Sequence, residues 1–216
     1  MTMSEGVFTE RASGRVTHSL LRLGTAMRSQ AWEWAESVGL TPTQGEILML
    51  LMQRKAPLRL GEIARETALT AATTSDAVST LEAKGLIEKR RALDDGRALA
   101  VRLTARGRTA AKRAQQWPEF LNSAVGKLAD DEQAVFYRTL LKMIRHLEVQ
   151  GDMPAHRMCM TCCHLVTSKN PKKTPHRCTA FGQDIGDINL RLDCERHELA
   201  DLPTQKKIWK IFAQQT

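Results

Sequence analysis

The sequence has no long hydrophobic run, and its first 158 residues contain no cysteine. No segment approaches the roughly 18 consecutive apolar residues of a transmembrane helix. Residues 1–15 lack the apolar stretch of a secretory signal peptide. There is also no His-Glu-x2-His motif, glycine-rich phosphate loop or nucleophile elbow. These absences predict a cytoplasmic protein that is not an enzyme.

Basic residues are in excess and concentrated in one segment. The chain has 32 Lys and Arg against 24 Asp and Glu, a formal net charge of +8. Residues 84–113 alone hold ten Lys or Arg and three acidic residues. A local basic excess of this kind favours a polyanionic partner such as DNA.

The first part of the chain has the periodicity of amphipathic helices. Apolar residues recur at helical spacing over residues 17–36, which predicts a long helix. The next helix begins with a complete capping signal: Thr41 at the N-cap, Pro42 at the first position and Gln44 at the third. A short helix is predicted over residues 60–66.

The spacing of apolar residues then changes from the helical period to the alternation of a strand. Thr70 caps a helix that should end at Gly85, a typical C-terminal stop. Residues 86–90 and 98–103 alternate at period two around Asp95-Gly96, a dipeptide suited to a tight hairpin turn. Together these elements predict a helix-turn-helix followed by a two-stranded wing.

Two further helices complete this region. One is expected over residues 104–125, disturbed at Pro118, and another from residues 130–131 to about residue 149, ended by Gly151. The predicted fold is mainly α: a winged helix-turn-helix domain with long dimerisation helices over residues 1–151, and a small loop-rich cysteine extension over residues 152–216 with a C-terminal amphipathic helix. Ile208, Trp209, Ile211 and Phe212 are the apolar residues that indicate this helix.

The helix after Thr70 has the composition of a DNA-reading helix. Such a helix carries short, polar outward side chains at its N-terminal end. The candidates are Thr70, Ala71, Ala72, Thr73, Ser75, Asp76 and Ser79. Thr74, Val78 and Leu81 instead repeat at the spacing of a buried stripe. An ordinary amphipathic surface helix would show the same pattern.

The wing strengthens the DNA-binding interpretation. Arg90 and Arg91 on its first strand are candidates for phosphate contacts. Arg97 at the tip is placed to enter the minor groove, and Asp95 to orient its guanidinium. A solvated charged hairpin is the alternative.

In combination, these segments resemble the MarR family of winged-helix transcription regulators. The likeness lies in Leu-Thr-Pro-Thr-Gln at 40–44, Leu-Gly-Glu-Ile-Ala at 60–64, residues 78–87 and the wing at 95–104. It implies a homodimer with interlaced first and last helices that reads a pseudo-palindromic operator in double-stranded DNA. Family members often have a basic residue where this chain has Asp76. An acid there can accept a hydrogen bond from cytosine but cannot hold phosphate.

All five cysteines lie in the extension. Their pattern is Cys159-x2-Cys162, then Cys178 and Cys194, each after 15 further residues, with Cys163 beside the pair. Clustered cysteines in a cytoplasmic chain indicate metal binding more than disulfides. The candidate ligand set is Cys159, Cys162, Cys178 and Cys194. Buried structural thiols are the alternative.

The pattern favours an iron–sulfur cluster over zinc. Zinc ribbons usually have two Cys-x2-Cys knuckles followed by glycine, whereas this chain has one knuckle and two isolated cysteines. Zinc and a thiol redox switch stay open, as does a ligand role for Cys163, His176 or His197. The layout is analogous to that of winged-helix repressors of other families that carry a cluster on C-terminal cysteines.

Two functional hypotheses follow. The first is a repressor whose cluster senses redox, oxygen or iron status. The second keeps DNA binding but makes the cysteine site structural zinc, with control by the small aromatic ligand that the resemblance suggests. Trp32, Trp34 and Trp117 are candidates to line the ligand pocket, although core packing is the preferred interpretation for each.

Overall fold

The computed structural model describes residues 11–54, 56–91, 99–167 and 176–214 of the 216. Within these ranges the helices are α1 (Ala12–Ser37), α2 (Pro42–Gln53), α3 (Leu60–Glu66), α4 (Ala71–Ala83), α5 (Ala105–Ala114), α6 (Glu119–Val125), α7 (Asp130–Gln150) and α8 (Leu202–Gln214). The strands are β1 (Leu58–Arg59), β2 (Ile87–Arg91), β3 (Leu99–Leu103), β4 (Leu165–Thr167), β5 (His176–Cys178) and β6 (Gln183–Ile185). The predicted mainly helical winged fold is confirmed.

The predicted helix signals are present in the structure. The Thr41 hydroxyl accepts a hydrogen bond from the Gln44 N–H, and the Gln44 side chain accepts one from the Thr41 N–H. The Thr70 hydroxyl accepts in the same way from the Thr73 N–H at the start of α4. Each cap satisfies a backbone donor that the first helical turn leaves unpaired.

Helix α4 leads directly into the wing sheet. Gly85 follows α4 with φ +68°, a left-handed conformation that glycine adopts at little cost. The sheet has strand order β1-β3-β2 and is antiparallel, with Ile87 opposite Leu103 and Leu58 opposite Val101. The first strand of the wing therefore begins directly after the second helix of the helix-turn-helix.

One hydrophobic core holds this domain together. It joins α2, α3, α4, the wing sheet and α5, and its fully buried members are Ile47, Leu48, Ile63, Val78, Leu81, Val101 and Ala111. A Cβ atom on Gly107 of α5 would lie 1.8 Å from the Leu86 carbonyl oxygen. Only glycine allows α5 to approach the wing so closely.

The helix predicted over residues 104–125 is two helices. α5 ends at Ala114 and α6 begins at Glu119, with Pro118 at the N-cap between them. Proline has no N–H to continue a helical ladder, which accounts for the break.

The extension has more ordered structure than the sequence predicted. Strands β4, β5 and β6 form a small antiparallel sheet in that order. Two 3-10 turns, Cys159–Thr161 and Asp187–Asn189, flank it. α8 lies where the C-terminal amphipathic helix is predicted, and it supplies the buried Ile208 and Phe212 to a hydrophobic core.

The second core also includes one face of α7. Leu141 is buried there with Met158, Met160 and Leu190 of the extension. The boundary proposed after Gly151 stays a prediction, but α7 packs directly on the residues that follow it. No helix in the described ranges is long and apolar enough to cross a membrane.

Candidate functional site

Helix α4 presents a polar face to solvent. Thr74, Val78 and Leu81 are fully buried, as the predicted stripe requires. Each of the seven candidate reading residues is exposed, namely Thr70, Ala71, Ala72, Thr73, Ser75, Asp76 and Ser79. A helix anchored on one side with short polar side chains on the other is suited to lie in a major groove.

The described part of the wing carries exposed cations beside an acidic residue. Arg90 and Arg91 are both exposed at the end of β2. Glu88 bonds Arg102 across the sheet and lies 3.3 Å from Arg90. The hydrogen bond from Arg102, followed by that from Arg90, holds the pKa of Glu88 below its ordinary value despite some desolvation.

Two of the predicted contacts cannot be placed. Asp95 and Arg97 lie outside the described residues, so their roles at the wing tip stay predictions. Lys84 and Lys89, from the same basic segment, have partners within the fold. Lys84 donates to the Gly39 carbonyl at 2.7 Å, and Lys89 pairs with Glu82 at 2.7 Å.

The four candidate ligand cysteines come from three separate segments of the extension. Cys159 and Cys162 flank a 3-10 turn, Cys178 ends β5, and Cys194 lies in the loop before α8. Cys159, Cys162 and Cys194 are buried and Cys178 is partly buried. Cys159, Cys178 and Cys194 line one cavity of about 400 Å³.

The other three candidate thiols influence the pKa of Cys159. Burial is the main reason that the pKa of the Cys159 thiol is raised, and the charges of Cys194, Cys162 and Cys178 add to it. The Arg191 N–H opposes the shift by donating a hydrogen bond to the Cys159 sulfur at 3.2 Å. A bound metal would lower the pKa of such thiols by stabilising their thiolates.

The four candidate thiols do not form a compact group of donor atoms. Among the described residues, the only group of three or more His, Cys, Asp or Glu donor atoms within 4.8 Å of one another is Cys163, His164 and Glu198. No three of the four candidate ligand sulfurs are therefore that close together. Tetrahedral zinc with Zn–S bonds of about 2.3 Å places its sulfurs about 3.8 Å apart.

The two histidines considered as ligands have other partners. His176 is fully buried and its Nε2 lies 2.9 Å from Asp187, beside Phe212 of α8. The His197 Nε2 lies 3.0 Å from the Thr161 hydroxyl. Both contacts tie segments of the extension together.

A model of the MarR family matches residues 38–98, which run from the turn before α2 to the wing. The HTH-type transcriptional repressor Rv2887 of Mycobacterium tuberculosis is 30% identical over 125 residues, 57% of this chain and 89% of that protein. The chain belongs to the MarR family. It is thus a member of a family of transcription regulators and not an enzyme.

Solved structures show the same fold. A MarR-family protein from Bacillus stearothermophilus aligns with a TM-score of 0.56 at 23% identity, over 65% of this chain and 99% of that one. The S. aureus MepR–DNA complex aligns with a TM-score of 0.55 at 24% identity, over 61% of this chain and 97% of that one. About a third of this MarR-family chain therefore has no counterpart in either structure.

An ion-pair network joins the extension to the MarR-type domain. Arg54, at the C-cap of α2, bonds Glu66 at the end of α3 and lies 2.8 Å from Asp193. Asp193 also accepts a hydrogen bond from Arg157 at 2.8 Å, and its neighbour is Cys194. The Arg54 side chain is only 8% exposed. Sequence analysis missed this network, because nothing local marks two residues 139 positions apart as partners.

The tryptophans predicted to line a ligand pocket divide into two groups. Trp34 and Trp117 line a cavity of about 270 Å³ with Ala31, Pro42 and Met49. Trp32 is 59% exposed on α1 and does not line it. The Trp34 ring also packs against α2, where a Cβ atom on Gly45 would lie 2.7 Å from it.

Proposed function

We propose that this MarR-family regulator is a dimeric, DNA-binding repressor whose four-cysteine site holds an iron–sulfur cluster and reports redox, oxygen or iron status. The observation that carries the sensing part is the cavity lined by Cys159, Cys178 and Cys194, beside the buried Cys162. Cys194 directly follows Asp193, whose ion pair with Arg54 connects the extension to the helix-turn-helix.

The DNA-binding part is supported by the exposed polar face of α4 and the cations of the wing. Short side chains such as Ser75 and Asp76 can approach base edges in the major groove. Arg90 and Arg91 can contact phosphates on either side. The MepR structure was solved as a complex with DNA, and Rv2887, a relative of this chain, is described as a transcriptional repressor.

A dimer is supported by hydrophobic side chains that one chain leaves uncovered. α1 has 26 residues and buries only Ala35 fully. The exposed hydrophobic residues of α1 and α7 are Val16, Leu21, Leu23, Met27, Trp32, Val135, Phe136 and Val149. The extension covers a different part of α7, around Leu141. Interlaced first and last helices of two subunits would bury the uncovered set.

The pattern of one Cys-x2-Cys pair and two isolated cysteines favours a cluster over a single zinc ion. A cluster of several iron atoms has its cysteine ligands further apart than one tetrahedral zinc does. The Arg191 N–H bonded to Cys159 is the kind of contact that tunes the potential of such clusters. When bound, a cluster supplies one-electron redox chemistry and sensitivity to oxygen and iron supply.

The network at Arg54 offers a path from this site to DNA. A change in the loop that holds Cys194 would move Asp193, and with it the Arg54–Glu66 pair at the end of α3. α3 is followed by the turn into the reading helix α4. In a dimer, a small shift of the reading helices relative to half-sites one DNA turn apart is enough to abolish binding.

Anaerobic purification of the full chain tests the cluster. We expect brown protein with visible charge-transfer absorption, iron and acid-labile sulfide. Colourless protein with one zinc per chain would contradict the cluster. The affinity for DNA selected from a random pool should fall as the salt concentration rises. The slope of log affinity against log salt should be about −0.9 for each phosphate contact. A salt-independent affinity would contradict the DNA interface.

Structural zinc with control by a small aromatic ligand is a second candidate. The specific observation in its favour is the cavity between Trp34 and Trp117. A planar aromatic ligand there should quench tryptophan fluorescence and weaken DNA binding, and Trp117→Leu should abolish both effects. If the ligand still quenches fluorescence and weakens DNA binding in this variant, the cavity is not the ligand-binding site.

A further inference from the structure

A second group of metal-binding side chains lies on the surface of the extension, apart from the four-cysteine site. Donor atoms of Cys163, His164 and Glu198 all lie within 4.8 Å of one another. The His164 Nε2 is 3.4 Å from one Glu198 oxygen, and the Cys163 sulfur is 3.9 Å from the other. A thiol, an imidazole and a carboxylate thus converge on one point.

Backbone pairing holds these residues in place. The Cys163 N–H donates to the Glu198 carbonyl at 2.9 Å, and Cys162 forms a β-bridge with Leu199. The Ala200 N–H continues the pairing to the Thr161 carbonyl at 2.9 Å. The two segments are therefore held side by side by their main chains, independently of the three side chains.

The His164 ring is oriented by a partner on its far side. Its Nδ1 lies 3.3 Å from the Thr179 hydroxyl, so its Nε2 faces Glu198. Thr179 is itself held by its N–H, which donates to the His164 carbonyl at 2.9 Å. Metal-binding histidines usually have such a partner on the second ring nitrogen, which fixes the tautomer and the ring plane.

This group is distinct from the four-cysteine site although it begins at the next residue. Cys162 is buried, whereas Cys163 is exposed. Glu198 is 72% exposed, so the point of convergence faces solvent. Cys162 is not among the donor atoms that converge with Cys163, so the two thiols do not belong to one group.

We propose that Cys163, His164 and Glu198 bind one zinc ion at the surface of the extension. Sulfur, nitrogen and oxygen donors of these types are all zinc ligands, and three protein ligands leave a fourth tetrahedral position for water or an external ligand. The ion would join the segment after Cys162 to the segment after Cys194. Zinc supply would then set how firmly the loop around the four-cysteine site is closed.

Zinc titration of the full chain tests the site, with Zn²⁺ alone as the probe and a chromogenic chelator as competitor. Wild type should bind one zinc more per chain than Cys163→Ser, His164→Gln or Glu198→Gln. Iron and sulfide, counted separately, should be unchanged in all three variants. Thr179→Val should weaken zinc binding about 10- to 100-fold, as loss of an outer hydrogen bond does at other sites.

Matched controls lie outside the group. His146→Gln removes an exposed histidine of α7, and Asp152→Asn removes an exposed carboxylate just after α7. Both should bind zinc as wild type does. The proposal is overturned if the three ligand variants keep the extra zinc, or if the controls lose it as well. Loss of the four-cysteine metal in Cys163→Ser would instead make Cys163 a ligand of that site.

Discussion

Asp193→Asn should uncouple the extension from the DNA-reading helices. In the structure this carboxylate accepts hydrogen bonds from Arg54 and Arg157, each at 2.8 Å. The substitution keeps the size of the side chain and one oxygen acceptor, but removes the charge. Arg54 would keep Glu66 as its only carboxylate partner in this network.

The size of the effect follows from burial. A hydrogen bond to a charged group contributes about 1.5–3 kcal/mol. The Asp193 side chain is 30% exposed and asparagine keeps one acceptor. The substitution should therefore reduce the free energy contributed by the two contacts together by about 2 kcal/mol. If that free energy couples the two parts of the molecule, it accounts for up to about a 30-fold change in DNA affinity.

The assay compares DNA affinity with and without the four-cysteine metal, using DNA selected from a random pool by the wild-type protein. The ratio of the two affinities should approach one in Asp193→Asn. Asp152→Asn is the matched control, because it removes the charge of an exposed carboxylate near the start of the extension, and it should leave the ratio unchanged.

Two results would count against different parts of the reasoning. An unchanged ratio in folded, metal-loaded Asp193→Asn would refute Arg54 as the relay. A wild-type ratio of one would instead refute sensing by the cysteine site and leave the ion-pair network as a purely structural contact.

Three further expectations concern the wing, the ligands and pH. Arg97→Ala should weaken binding to selected and random DNA alike, whereas Ser75→Ala should mainly reduce the preference for selected DNA; competition binding separates them. Cys178→Ser should lose the four-cysteine metal while the helix-turn-helix stays folded by circular dichroism, and retention of full metal would remove it from the ligand set. The hydrogen bond from His176 is the main reason that the pKa of Asp187 is lowered. Stability from this carboxylate is therefore present above the unfolded value near 4 and lost as pH falls through the lower folded value. The difference in free energy of unfolding between wild type and Asp187→Asn, measured by urea denaturation, should narrow as the pH falls below about 4.

The DNA-reading half of the molecule was predictable because its signals are local. The capping box of Thr41 and Gln44 involves residues three positions apart, and the short helix over residues 60–66 is found with the bounds predicted. Gly85 marks a left-handed backbone position that few other residues tolerate. The residues that form each of these features lie within a few positions of one another, so the sequence alone is enough to predict them.

The extension was less predictable because its order comes from distant contacts. Its three-residue strands are too short for a period-two pattern to stand out. His176 was considered as a ligand, yet its contacts are with Asp187 and Phe212. The group of Cys163, His164 and Glu198 did have a partial signal in the Cys-Cys-His sequence, but the carboxylate lies 34 positions further on.

The packing of the extension gives it two routes to the reading helices. One is direct, through Asp193 and Arg54 to the end of α3. The other passes through α7, where Arg138 pairs with Asp187 at 2.7 Å on the face that the extension covers. α7 also has the exposed Val135 and Phe136, which a second subunit would bury in the proposed dimer. A rearrangement of the extension could thus change the angle between subunits even if Arg54 did not move. Because Asp193→Asn removes only the direct route, any response that survives this substitution measures the part that passes through α7 and the dimer.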